Sequence, residues 1–185
     1  MGSEYAELND DLRTFIAGQR MFFVATAPLA ADGHINLSPK GLDSFRVLSP
    51  RSVAYLDLTG SGIETVAHIR ENGRITILLC AFSGRPRIVR LYGRGRAVVP
   101  DDAEWSVLAG QFPSYTSTRS IVVVELERIA DSCGFGVPRY EFVEDRTQLV
   151  DWADKKGRAA IEAYQAEKNQ HSIDGLPGLT LPADA

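Results

Sequence analysis

Cysteine is scarce in this chain: two residues in 185, Cys80 inside an apolar run and Cys133 ahead of Gly134. That excludes a disulfide framework and a Cys-rich zinc site, and it suits a reducing compartment. Histidine is nearly as rare. His34, His68 and His171 are scattered, without the i, i+4 spacing or the cysteine partners of a metal centre. Long hydrophobic stretches are missing too, since the run from Ile75 to Phe82 falls far below the roughly 20 residues of a membrane-crossing helix. The segment Met1 to Glu7 is polar and acidic, with neither the basic nor the apolar region of a secretory signal, so the expected location is cytoplasmic. Positive charge is not in excess. A net charge of -4 gives no general reason to expect a nucleic-acid partner. Finally, there is no Gly-x-Ser-x-Gly elbow, no dinucleotide-binding glycine fingerprint at a helix start and no specific carboxylate pair, so no catalytic acid, base or nucleophile is visible.

What is present is 44% hydrophobic content over a length that suits one domain with a sizeable core. The periodicity predicts a short helix over Asp10 to Ala17, then strands at Met21 to Ala27 and His34 to Ser38 joined through the Ala31-Asp32-Gly33 turn. Phe45 to Leu48 and Ser52 to Asp57 follow as strands around Ser49-Pro50-Arg51. From Ser61 to Asn72 the period becomes helical, and Asn72-Gly73 supplies a left-handed C-cap. Strands over Arg74 to Phe82 and Arg87 to Val99 come next, the second placing Gly93 and Gly95 on its inward face, a mark of a bend, a bulge or a close approach. A helix opening at Pro100, a strand over Ser120 to Ile129, a helix from Arg146 to Asn169 with a stripe including Ala160 and Ile161, and a surface-draped tail complete the chain. About six strands joined by hairpins, broken by one early helix, argue for a closed antiparallel barrel rather than a doubly wound sheet.

Two polar loops carry the functional signal. Asn36-Leu37-Ser38-Pro39-Lys40-Gly41 offers a hydroxyl and a cation, and Asp57-Leu58-Thr59-Gly60-Ser61-Gly62-Ile63-Glu64-Thr65 offers hydroxyls and glycines at a helix start. Unpaired N–H groups and the helix dipole favour an anion there, so together the loops read as a phosphate-bearing cofactor site. Taken alone, Ser61-x-x-Glu64 reads first as a capping box that needs no ligand, and Lys40 as a solvated surface lysine; their joint position at strand ends is what raises the cofactor reading. The row Arg85, Arg87, Arg90, Arg94 and Arg96 suits phosphate, a partner subunit or a nucleic-acid backbone, or else a strand face paired with acids. Arg90 is its preferred functional member. With Tyr92 as the one aromatic on that face, nucleic acid is the weakest of these partners.

Phe22 to Ala27, Asp32-Gly33, Asn36 to Gly41, Tyr55-Leu56-Asp57-x-Thr59-Gly60-Ser61, Asn72 to Ile75 and Arg87-x-x-Arg90-x-x-Gly93 resemble the pyridoxamine 5'-phosphate oxidase-related proteins over about residues 10 to 140. The resemblance implies an α+β, mainly β fold: a six-stranded antiparallel split β-barrel of the FMN-binding type, over residues 1–145. Residues 146–185 would form a C-terminal helix and tail on the same domain. It implies a homodimer holding two FMN molecules between subunits, with Asn36, Leu37, Ser38, Pro39 and Lys40 along the flavin. Asp57, Ser61 and Thr65 would stand at the phosphate loop, with Arg90 as an added cation. Where the oxidase has a basic pair, this chain has Glu64-Thr65. Ser132-Cys133-Gly134 replaces its aromatic turn, and Glu144-Asp145-Arg146-Thr147 lacks its histidine, so vitamin B6 oxidation is not implied. The expected function is an FMN-dependent oxidoreductase acting on a small molecule. A non-catalytic binder of FMN, deazaflavin or haem, the last with a histidine axial ligand, is the alternative. A nucleic-acid-binding barrel is the third reading.

Overall fold

The computed structural model describes residues 2–179. The strands are β1 (Glu4–Tyr5), β2 (Phe22–Thr26), β3 (Asn36–Lys40), β4 (Phe45–Ser49), β5 (Ser52–Leu58), β6 (Arg74–Cys80), β7 (Ile88–Val98) and β8 (Thr118–Ser132). The helices are α1 (Asp10–Ala17), α2 (Glu64–Asn72), α3 (Trp105–Ala109), α4 (Gln148–Lys156) and α5 (Arg158–Lys168). All ladders are antiparallel, in the order β3-β2-β6-β7-β8-β5-β4, with β1 added to β8. The sheet therefore has eight strands, not six, and it is split rather than closed. No ladder joins β3 to β4 among the described residues. β1, a two-residue strand, is too short to leave a periodic signal.

β8 organises the sheet. It pairs with β7 along most of its length, with β5 through its first half and with β1 near its end. Residues alternate between two apolar clusters, as a strand's period of two requires. Val53 and Tyr55 of β5 and Val122, Val124 and Leu126 of β8 join the barrel interior, onto which α1 lays Leu12 and Ile16. Ala54, Leu56, Ile121 and Val123 face the other way, toward Leu108 of α3 and Phe112. Asn9 caps α1 by accepting from Leu12 N at 2.9 Å. Gly73 ends α2 in the left-handed conformation, φ 71°, as Asn72-Gly73 predicts.

Three other local expectations are corrected. The helix expected from Pro100 begins at Trp105, because Asp102 accepts from Val99 N at 2.8 Å and closes a turn ahead of it. The single helix over Arg146 to Asn169 is two, broken at Gly157, whose φ 76° and ψ 163° suit glycine alone. That break resets the helical phase, so Ala160 is exposed while Ile161 is buried. The tail is not merely draped: Leu179 is buried against Ile63 and Val66, and Arg70 donates to Gly178 O.

The two inward glycines of β7 mark close approaches. A Cβ at Gly93 would lie 2.1 Å from Glu125 O, beside the bulge where Gly93 pairs with Leu126 and Tyr92 with Arg128. At Gly95 it would press on Ile69 of α2 and Ile75 of β6 at 3.2 and 3.3 Å. Gly93→Ala should therefore destabilise the protein near the top of the overpacking range of about 1–3 kcal/mol. Gly136→Ala, with nothing within 4 Å, should sit within about 0.5 kcal/mol of the parent in urea denaturation.

Candidate functional site

β3 is an edge strand in which Asn36, Ser38 and Lys40 turn partly inward while Leu37 and Pro39 are exposed. An edge tolerates Pro39, which has no N–H to donate to a ladder. Across the split, β5 ends in Asp57-Leu58, and the loop 59–62 leads into α2. Between them lies a cleft of about 810 Å³. Its walls include Asn36, Ser38, Pro39 and Lys40 from the first loop and Thr59, Gly60, Ser61, Gly62, Glu64 and Thr65 from the second. Tyr140 to Phe142 and Glu144 to Arg146 supply a third wall, anchored where Tyr140 N donates to Phe82 O at 2.9 Å and Arg20 lies 5.0 Å from the Phe142 ring centre. Leu42, in the turn after Lys40, holds φ 62° at the cleft edge, a conformation that costs a non-glycine residue about 1–2 kcal/mol.

Asp57 underlies the site rather than lining it. Fully buried, it accepts from Arg119 Nε at 2.7 Å, Lys40 Nζ at 3.1 Å and Ser120 Oγ at 3.2 Å. Burial alone would push its carboxyl up. The charges of Arg119 and Lys40, with their hydrogen bonds, outweigh this and hold it well below the usual carboxylate range. One carboxylate facing two cations leaves this cluster net positive beneath the cleft.

Arg119 is the principal residue that sequence periodicity does not reveal. Asp57 pairs with Ser120 and Leu58 with Thr118, so Arg119 is the extra residue of a β-bulge. A bulge re-aims a side chain, and here it turns the guanidinium toward Asp57. The same group donates to Gly62 O at 2.8 Å and Asn169 Oδ1 at 2.9 Å. With the Gly62 carbonyl held, the loop leaves the helical path, and α2 starts at Glu64 instead of Ser61. Ile63 is its N-cap, without a side-chain cap bond, so the capping box does not form. The N–H groups of Gly60, Ser61 and Gly62 have no acceptor among the described residues.

A polar chain runs along the opposite wall. Ser38 Oγ donates to Asn36 Oδ1 at 2.8 Å, and Asn36 Nδ2 donates to Thr65 Oγ1 at 2.9 Å and Thr26 Oγ1 at 3.2 Å. Thr26 Oγ1 is 3.0 Å from His68 Nδ1. Burial pushes the His68 imidazole below its ordinary value, favouring the neutral ring. Of the expected site residues, then, Asn36, Ser38, Pro39, Lys40, Ser61 and Thr65 meet at one cleft. Leu37 points away, 66% exposed. Arg90 lies outside it, donating to Ser132 Oγ at 3.1 Å, because β2 and β6 stand between β7 and β3.

The rest of the arginine row is largely balanced by acids. Arg87 pairs with Asp131 and Asp11, Arg94 with Glu127, and Arg96 with Glu104. None of the three histidines lines the cleft, and among the described residues no group of His, Cys, Asp and Glu could hold a metal ion. No helix of the described residues is long and apolar enough to cross a membrane.

The sequence model of the family described as pyridoxamine 5'-phosphate oxidase matches residues 8–133. A pyridoxamine 5'-phosphate oxidase family protein, ustO of Aspergillus flavus, is 39% identical over 192 residues, covering 95% of this chain and 77% of the relative. Among solved structures, a HupZ of Group A Streptococcus aligns with a TM-score of 0.52 and 22% identity over 68% of this chain and 99% of that one. A proposed pyridoxamine 5'-phosphate oxidase of Lactobacillus delbrueckii aligns with a TM-score of 0.53 and 21% identity, over 68% and 97%. At such identities the two structures speak for the fold alone.

Removing the Asp57 charge strands the buried Arg119 guanidinium and the half-buried Lys40, so Asp57→Asn should cost about 3 kcal/mol in urea denaturation at neutral pH. Because the folded-state carboxyl is depressed, its stabilisation is complete above the unfolded value of about 3.9 and is lost as pH falls below it. The parent should therefore lose stability across that acid range more steeply than Asp57→Asn does.

Proposed function

The chain belongs to the pyridoxamine 5'-phosphate oxidase family, and from that premise we propose that it is an FMN-binding oxidoreductase acting on a small molecule other than pyridoxamine phosphate. The observation that carries this reading is the convergence of Asn36 to Lys40 and the 59–65 segment on one cleft, above a buried cluster of net positive charge. The donor set fits a flavin mononucleotide. Ser61 and the N–H groups of the loop 59–62, with the uncapped start of α2, would hold the phosphate. Lys40 and the Asp57–Arg119 pair would supply the favourable field, partly opposed by Glu64. Asn36 and Ser38 would line the polar chain of the cofactor, their own hydrogen bonds fixing their rotamers. Bound FMN would supply the redox chemistry at its ring system; the chain's part is to orient it and to shield one side from water with the segment Tyr140 to Arg146.

The haem alternative is less well supported, since a haem in this cleft would find no histidine ligand from the chain. A homodimer is part of the proposal. Ile35 and Leu37 along the β3 edge are 77% and 66% exposed. Ile173, brought alongside by the His34–Asp174 contacts, is 70% exposed. Exposed apolar groups collected along the β3 edge suit burial by a second copy.

Purified protein should show the two visible bands of a flavin, and anaerobic addition of a reduced nicotinamide nucleotide should bleach them. Protein that remains colourless with added FMN refutes the reading; bound flavin that does not bleach makes the protein a binder without this turnover. Ser61→Ala removes a hydroxyl with no hydrogen-bond partner among the described residues, so folding stability should be unchanged while FMN binding weakens by about 1 kcal/mol, or about fivefold. Leu37→Glu should shift the mass seen by light scattering from dimer to monomer.

A further inference from the structure

Two buried polar side chains of α5 are not explained by the apolar core. Gln165 is 4% exposed and Asn169, which follows the helix, is 0% exposed. Both spend their donors on the loop between β5 and α2. Gln165 Nε2 donates to Thr59 Oγ1 at 2.8 Å, and Asn169 Nδ2 donates to Gly60 O at 3.0 Å. Asn169 Oδ1 accepts from Arg119 Nη1 at 2.9 Å, and that nitrogen also donates to Gly62 O at 2.8 Å. Thr59 is fixed from the other side, its N–H and its hydroxyl both donating to Ser117 O at 2.7 Å.

A trans peptide is planar, so its N–H points opposite to its C=O. Holding Gly60 O toward Asn169 turns the N–H of Ser61 away from it, and holding Gly62 O toward Arg119 does the same for the N–H of Ile63. Neither N–H has an acceptor among the described residues. Ser61 and Gly62 line the cleft. An N–H of the cleft lining held in this way, as that of Ser61 is, meets an anion in a direction that depends on what grips the carbonyl behind it.

We infer that Gln165 and Asn169 are positioning residues which, through Thr59, Gly60 and Arg119, make the cleft selective for the phosphorylated flavin over the same ring without phosphate. The inference rests on the FMN reading above. It assigns α5, outside the region matched by the family model, a part in cofactor choice.

The test is titration of flavin-free full-length protein with FMN and with riboflavin, followed by quenching of flavin fluorescence, for the parent, Gln165→Met and Asn169→Ala. Gln165→Met keeps the length of the side chain and removes one donor, so it carries the test if Asn169→Ala does not fold. The expected result is a parent that prefers FMN, with variants weakened about tenfold toward FMN, or about 1.4 kcal/mol, and within about twofold toward riboflavin. An unchanged ratio of the two affinities overturns the inference. So does an equal loss of both ligands with a lowered denaturation midpoint, which would make the pair structural only. A parent that binds both flavins equally overturns it while the flavin reading stands; a parent that binds neither overturns both.

Discussion

A carboxylate with no access to water must find positive charge or lose its own, and Asp57 finds it on two other strands. Lys40 stands on β3, one end of the hydrogen-bonded order, and Asp57 stands on β5, next to the other end. Since no ladder joins β3 to β4, this ion pair ties the two margins of the split where backbone hydrogen bonds do not. Arg119 completes the cluster from β8 and extends it to the loop before α2. The cost of burying Asp57 and Arg119 is offset by this close geometry, with the half-buried Lys40 as second cation, so the placement of one group constrains the others.

The cleft follows from that arrangement. A closed barrel would pair β3 with β4; a split one leaves a gap whose floor is charged and whose walls include short polar side chains. The Asn36 hydrogen bonds to Thr65 and Thr26 hold the first wall to α2 and β2. Arg119 and Asn169 hold the second by the carbonyls of Gly60 and Gly62. The donors left over point away from those grips. In the proposed reading, such an arrangement would bind an anion through pre-set backbone direction together with the field of Lys40 and Arg119, against Glu64 at the rim.

Much of this was legible in the residues. The change of period from two to 3.6 after Asp57, and back after Gly73, places α2 between strands, and Asn72-Gly73 ends it where a left-handed residue is needed. Gly93 and Gly95 on the inward face announced close approaches, and the neighbours are the β8 backbone and α2. Gln165 and Asn169 left a fainter signal. They continue the i, i+4, i+8 positions of buried Ile161, so polar residues stood on a face that should have been apolar. The break at Gly157 was less readable, because a single glycine inside a helical pattern fits an interior as well as an end.

The sequence by itself determined the local choices: which segments alternate, which turn, and that Asn36 to Lys40 and the 59–65 segment are polar loops at strand ends. Family membership rests on the wider stretch 8–133 that the family model matches. Only the tertiary structure decided that Arg119 leaves the strand period through a bulge, that Asp57 gathers two cations from strands distant along the chain, and that Arg90 faces elsewhere. The physical reason is that backbone propensity and side-chain period act over a few residues. The neutralisation of a buried charge and the direction of a held carbonyl depend instead on groups brought together by folding.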